Sequence, residues 1–199
     1  MQYDALGPEG SPTYKFGATP MWLAIDGLNN TLKLVKAARK HNMKVYWVRA
    51  GFYGIGIDIP PNSPQAESFA MLQAEFPGAL SRNGRGYEII DELKAVMEPQ
   101  DIIIEKIGSS SFVGTSLQQD LVLAGVKNII ICGCVTDGCV EGTARTGWDL
   151  GYHPLIVADA SASSSWEDQY HSLYHISNIF ATVTMTDEII SVIEKNSTK

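Results

Sequence analysis

The 199-residue sequence predicts an α/β fold: a three-layer, doubly wound parallel β-sheet with helices on both faces. Three observations lead there. Short β-branched runs such as Ile102-Ile103-Ile104 and Ile129-Ile130-Ile131 show no polar alternation, so they read as strands buried on both faces. Segments with helical apolar spacing separate these runs. No two strand-like runs lie close enough for a hairpin, the usual link between antiparallel neighbours. A chain of this length can bury a substantial core, and residues 1–199 are read as one domain.

In order, residues 1–20 are read as loop, dense in turn formers at Gly7, Pro8, Gly10, Ser11 and Pro12. Residues 20–41 carry Leu23, Ile25, Leu28, Leu32, Val35 and Ala38 at helical spacing, with Lys36, Arg39 and Lys40 near the end, where the helix dipole favours cations. A strand over 45–48 leads to a Gly-rich loop, 51–56. Residues 60–86 form an excursion with one helical patch, 66–75, and are read as a lid. A short helix over 89–96 precedes a strand over 101–105, with Lys106 just beyond it, then a helix over 116–124. After the 129–131 strand come Gly133 and a polar turn, Thr136-Asp137-Gly138. Val140, Thr143, Ala144, Gly147 and Trp148 then recur at helical spacing. The rest reads as a strand over 154–157 ending at Asp159, a helix over 167–180, a strand over 182–185, and a helix over 187–195 capped by Thr186.

The net charge of −7 argues against nucleic acid or an anionic membrane as partner. No apolar run approaches the ~20 residues that a membrane-spanning helix needs, and no basic-then-apolar leader opens the sequence. Three clustered cysteines, an odd number, make no disulfide framework, so a reducing cytoplasm is expected.

Cys139 falls where a strand turns into a helix. Free backbone N–H groups there favour a thiolate and can hold an oxyanion. On position alone, a small core residue and a nucleophile are both open readings. Lys106 shifts the balance, because both residues lie just beyond the carboxyl ends of their strands, where parallel sheets place their sites. Cys132 and Cys134 read as structural. His171 and His175 have a metal-compatible spacing without a third ligand nearby, and no metal or other cofactor is expected. Residues 51–56 lack the Gly-Lys-Ser/Thr ending of a phosphate loop. Asp58 reads as a solvated loop charge, and Arg49 as facing the substrate.

Glu105-Lys106-x-x-Ser109-Ser110-Ser111-Phe112-x-Gly114-Thr115-x-Leu117, then Gly133-Cys134-Val135-Thr136-x-x-Cys139-Val140-x-x-Thr143-Ala144, with Gly151-Tyr152 and Asp159-Ala160, resembles the isochorismatase-like cysteine hydrolases over about residues 20–190. The resemblance implies Cys139 and Lys106 as catalytic residues, a non-proline cis peptide joining Cys134 to Val135, and an oxyanion hole from the N–H groups of Val135 and Cys139. It points to Arg49 and Phe112 as substrate-binding residues and to a homo-oligomer, dimer or tetramer. The family's triad ends in an aspartate on the first strand. That strand and its aspartate are expected upstream of residue 1, since Met1-Gln2-Tyr3-Asp4 matches the family's residues just after that aspartate. Asp4 lies beyond the strand and Asp26 within a helical pattern. The nicotinamidase branch's Asp-x-His motif is missing from 49–62, and Cys139 argues against isochorismate's vinyl ether. The 33-residue spacing from Lys106 to Cys139 suggests a carbamoyl or ureido branch acting on a small amide or ureido substrate. The alternative is a catalytically impaired relative that serves as a binding or oligomerising protein.

Overall fold

The computed structural model describes residues 1–6 and 17–196. Its strands are β1 (Tyr46–Ala50), β2 (Ile102–Lys106), β3 (Asn128–Cys134), β4 (His153–Ala162) and β5 (Thr182–Thr184). The helices are α1 (Tyr3–Leu6), α2 (Thr19–Ala24), α3 (Gly27–Lys40), α4 (Pro64–Glu75), α5 (Asp91–Lys94), α6 (Leu117–Leu123), α7 (Glu141–Asp149), α8 (Trp166–Ser177) and α9 (Thr186–Asn196). Every strand pair is parallel, in two sheets: β1 with β2, and β3-β4-β5 in that order.

Two adjacent residues of β4 show the three layers. Ile156 packs with Val140, Ala144 and Ile176, on the side of α7 and α8. Val157 packs with Leu34 and Ile189, on the side of α3 and α9. Consecutive strand residues point to opposite faces, so an apolar run is required where both faces are covered.

The structure alters several expected boundaries. The single helix over 20–41 is two, broken at Ile25 and Asp26, where Asp26 takes φ +54°. The break lets Trp22 fold over the start of α3. A Cβ on Gly27 would come within 2.4 Å of its ring, so only glycine fits there. Tyr3–Leu6 is helical rather than loop, and the turn-rich stretch at 7–12 lies outside the described residues. Both β3 and β4 outrun their apolar cores, pairing as far as Cys134 with Ala162 after a register shift between Ile131 and Gly133. The excursion is built rather than loose. Ser63 caps α4 by accepting from the Ala66 N–H, Phe52 packs on Phe69 at 5.1 Å, and the Leu80 N–H donates to Asp4 at 2.7 Å. Among the described residues no helix is long and apolar enough to cross a membrane.

Asp101 ties α3 to the first sheet. Its carboxylate, with only 1% of the side chain exposed, accepts from Arg39 at 2.5 Å and from the Trp47 indole N–H at 2.7 Å. Burial alone would raise its pKa, but Arg39, the Glu98 N–H and Trp47 together hold it below the usual carboxylate range. A depressed folded-state pKa contributes stability that is present above the unfolded value near ~4 and is lost as pH falls through the folded one. Asp101→Ala should therefore cost about 3 kcal/mol at neutral pH. In chemical denaturation the gap to the wild type should shrink below about pH 4; a gap unchanged in acid would show that packing, not charge, is lost.

Candidate active site

Lys106 is the last residue of β2. It shares a buried face with Ile104, while Glu105 between them points the other way. The Lys106 side chain is 3% exposed overall. Its ammonium donates to the carbonyls of Gly108 and Ser109, each at 2.6 Å, and lies 3.1 Å from Cys139 Sγ. Those three acceptors use all three of its N–H bonds. None is a carboxylate.

The loop that supplies both carbonyls is fastened to α7. The Ser111 N–H donates to Thr143 Oγ1 at 3.0 Å, and the two hydroxyls are 2.9 Å apart. A Cβ on Gly142 would stand 2.9 Å from Ser109 Oγ, so glycine permits the approach. Gly142 was not singled out in the sequence, and Thr143 stood there only as a helix-spacing and motif position; their role in seating the lysine loop is set by contacts across the fold.

Cys139 sits in a five-residue π-helical turn, Thr136–Val140, that runs straight into α7. The turn expected at Thr136-Asp137-Gly138 is thus itself helical, a geometry common at functional positions. The Cys134–Val135 peptide is cis. Side chains on both flanks pin the turn: the Ser163 hydroxyl donates to Asp137, and Ser172 Oγ donates to Glu141 at 2.5 Å. Val135 precedes the turn directly, which puts its N–H and that of Cys139 on the same short segment.

Cys139 is half-buried. The other two thiols differ from it. Burial pushes Cys132 up to about 11 and Cys134 up to about 12. Both keep some accessible surface, but it opens into an internal cavity, so their desolvation stands.

Lys106 and Cys139 come together, and Arg49 bonds elsewhere. Arg49 pairs in register with Glu105, on the face opposite Lys106. Its guanidinium bonds Glu105 at 2.5 Å and lies 4.5 Å over the Tyr87 ring. The Tyr87 hydroxyl and both Arg49 and Arg82 hold the Glu105 carboxyl low. Phe112 is a buried residue stacked on Tyr152 at 5.6 Å, packed with Ile104, Leu117 and Leu121. Both residues thus have structural partners, and Phe112 also lines the cavity that Lys106 and Cys139 line. Asp58 caps the N–H groups of Tyr53 and Gly54, shaping its own loop. Asp26 accepts from the Asn29 side chain at 3.0 Å. The His171 and His175 rings stack 6.3 Å apart, and among the described residues no His, Cys, Asp or Glu completes a metal site with them.

A parallel α/β scaffold with a thiol and a buried ammonium at the carboxyl ends of its strands defines a recognisable class of protein. The isochorismatase domain family matches residues 19–188, and the chain belongs to that family. It is 29% identical over 177 residues to the ureidoacrylate amidohydrolase RutB of Acinetobacter baylyi, covering 85% of this chain and 71% of that protein. Its structure is similar to a cysteine hydrolase from Pseudomonas syringae pv. phaseolicola, with TM-score 0.82 and 29% identity over 98% of this chain and 89% of the other. The fold is also that of an N-carbamoylsarcosine amidase from Thermoplasma acidophilum, with TM-score 0.65 and 23% identity over 81% and 83% of the two chains.

Proposed function

We propose that the protein is a cysteine-dependent amidohydrolase that cleaves a C–N bond in a small amide or ureido compound through a thioester on Cys139. The observation that carries this reading is the 3.1 Å approach of the Lys106 ammonium to Cys139 Sγ. A buried cation at that range favours the thiolate, the nucleophilic form.

Cys139 Sγ attacks the carbonyl carbon, and the oxygen that becomes anionic is met by the N–H groups of Val135 and Cys139. The C–N bond breaks, and the leaving nitrogen takes the proton that a base removed from the thiol. Water, deprotonated by the same base, adds to the thioester. The C–S bond then breaks and the proton returns to sulfur. With a ureido substrate the amine leaves first. The carbamoyl thioester then gives carbamic acid, which breaks down to carbon dioxide and ammonia. The base is an aspartate, as the family resemblance implies. Among the described residues, no carboxylate is bonded to Lys106 or Cys139.

Three free thiols suit a reducing, cytoplasmic setting. The exposed row of Trp166, Tyr170 and Tyr174 along α8 supports self-association into a homo-oligomer. The substrate class is tested by ammonia release from ureido acids, biuret-like compounds, aliphatic amides and nicotinamide, with protein that includes any residues preceding Met1. A ureido compound should be turned over fastest. Turnover of nicotinamide or an aliphatic amide, with every ureido compound inert, would overturn the ureido assignment and leave the cysteine hydrolase standing.

A further inference from the structure

Lys106 and Cys139 stand 33 residues apart in the chain, so their 3.1 Å approach depends on how the loop after Lys106 docks on α7. Three points make that seam. A Cβ on Gly142 would meet Ser109 at 2.9 Å from its Oγ and 3.2 Å from its Cβ. A Cβ on Gly147 would meet the Phe112 ring at 3.3 Å. Between these glycines Thr143 bonds Ser111 twice. Its Oγ1 accepts from the Ser111 N–H at 3.0 Å and pairs with the Ser111 hydroxyl at 2.9 Å. The glycines let the two backbones come close, and the threonine holds them there.

Thr143 and Ser111 are buried, with 7% and 5% of their surfaces exposed. A buried hydroxyl without a partner is costly, so each is committed to the other. A helical threonine commonly turns its hydroxyl back to the carbonyl four residues earlier. Thr146 does so, donating to the Gly142 carbonyl at 2.9 Å. For Thr143 that carbonyl would be the one of Cys139, yet its Oγ1 is engaged across the seam. On the loop side of this contact, the Ser109 carbonyl accepts from the Lys106 ammonium at 2.6 Å, two residues before Ser111. On the helix side, Cys139 lies four residues before Thr143, in the turn that runs into α7. The path that fixes ammonium against sulfur therefore runs through Ser109, Ser111 and Thr143.

We propose that Thr143 is a positioning residue for the nucleophile: through Ser111 it holds the Lys106 ammonium against Cys139 Sγ and so sets the reactivity of the thiol. The inference rests on the catalytic reading of those two residues and deepens it by assigning their separation to a third. At an effective dielectric of ~20, widening a 3.1 Å separation by about 1 Å weakens the attraction enough for about a tenfold change in an equilibrium. Alkylation responds less steeply, because a thiolate deprived of a cation is also the stronger nucleophile.

The test is the rate of iodoacetamide labelling of Cys139 at pH 7, followed by mass spectrometry. Thr143→Val keeps the volume, loses both bonds, and should slow labelling by about three- to tenfold. Thr143→Ser keeps the oxygen and should recover most of that loss. Gly142→Ala opens the same seam by pushing on Ser109, and should slow labelling too, although alanine is the better helix former. Because it removes no hydrogen-bonding group, it stands in for Thr143→Val should that variant not fold. The decisive arm is the double variant. If Thr143 acts through the ammonium, adding Thr143→Val to Lys106→Met should change the rate by less than about twofold, since the cation it positions is gone. Labelling of Thr143→Val or Gly142→Ala at the wild-type rate overturns the proposal, and so does a double variant slowed by the full factor again. The two readings fail separately. Slow labelling of Lys106→Met beside normal labelling of Thr143→Val sinks only the positioning role. Normal labelling of Lys106→Met sinks the lysine's part in the chemistry, and the positioning role with it.

Discussion

Cys139→Ser is expected to lower kcat/KM by on the order of 10⁴-fold or more, with Tm moved by no more than about 3 °C. The split follows from where the sulfur sits. Cys139 is half-buried in a turn held by other residues: Ser163 on Asp137, Ser172 and Arg145 on Glu141. Exchanging sulfur for oxygen disturbs none of those bonds. It does remove the sulfur nucleophile beside Lys106, and a hydroxyl is a far weaker one. Iodoacetamide at pH 7 checks the same residue without a substrate. Cys132 and Cys134, pushed to about 11 and about 12, would be ionised to only about 1 part in 10⁴ and 1 in 10⁵. Mass spectrometry should therefore find Cys139 modified first. Equal labelling of all three, or a serine variant that keeps its activity, would remove the nucleophile assignment.

The layer plan was legible because buried parallel strands announce themselves. Ile102-Ile103-Ile104 and Ile129-Ile130-Ile131 have no polar alternation, and the structure puts helices over both sheet faces. The Lys106–Cys139 meeting was legible for a related reason. Each strand's end is marked by a change from apolar run to polar turn, and parallel strands bring their carboxyl ends to one edge. What failed did so for want of a third dimension. Leu23, Ile25 and Leu28 keep helical spacing straight through the break at Asp26, but Leu23 is exposed while Ile25 and Leu28 pack on the core, and only Gly27 under Trp22 betrays the junction. The pairing of Arg49 with Glu105 was hidden because one strand does not reveal its neighbour's register. The grip of Thr143 on Ser111 joins residues 32 apart, beyond any local pattern.

Lys106→Met should separate function from stability in the opposite sense to an ordinary core substitution. The ammonium is buried, and its partners are two carbonyls and one sulfur. Desolvating a cation costs several kcal/mol, and neutral carbonyls repay only part of that. Methionine has a similar length and no charge, and replacing a buried ion with an apolar residue of similar volume is often neutral or stabilising. Tm should therefore hold or rise by a few degrees. Activity should not hold. Losing a cation 3.1 Å from the sulfur is expected to cost about 3–4 kcal/mol of transition-state stabilisation, or about 10²–10³-fold in kcat/KM. Alkylation of Cys139 at fixed pH should slow in parallel, a readout that a purely structural cation would not move. A variant that melts earlier yet keeps both its turnover and its alkylation rate would make Lys106 a staple for the 108–111 loop rather than part of the chemistry. Higher Tm with lost activity and a slower thiol is the pattern of a residue kept for function at the expense of the fold.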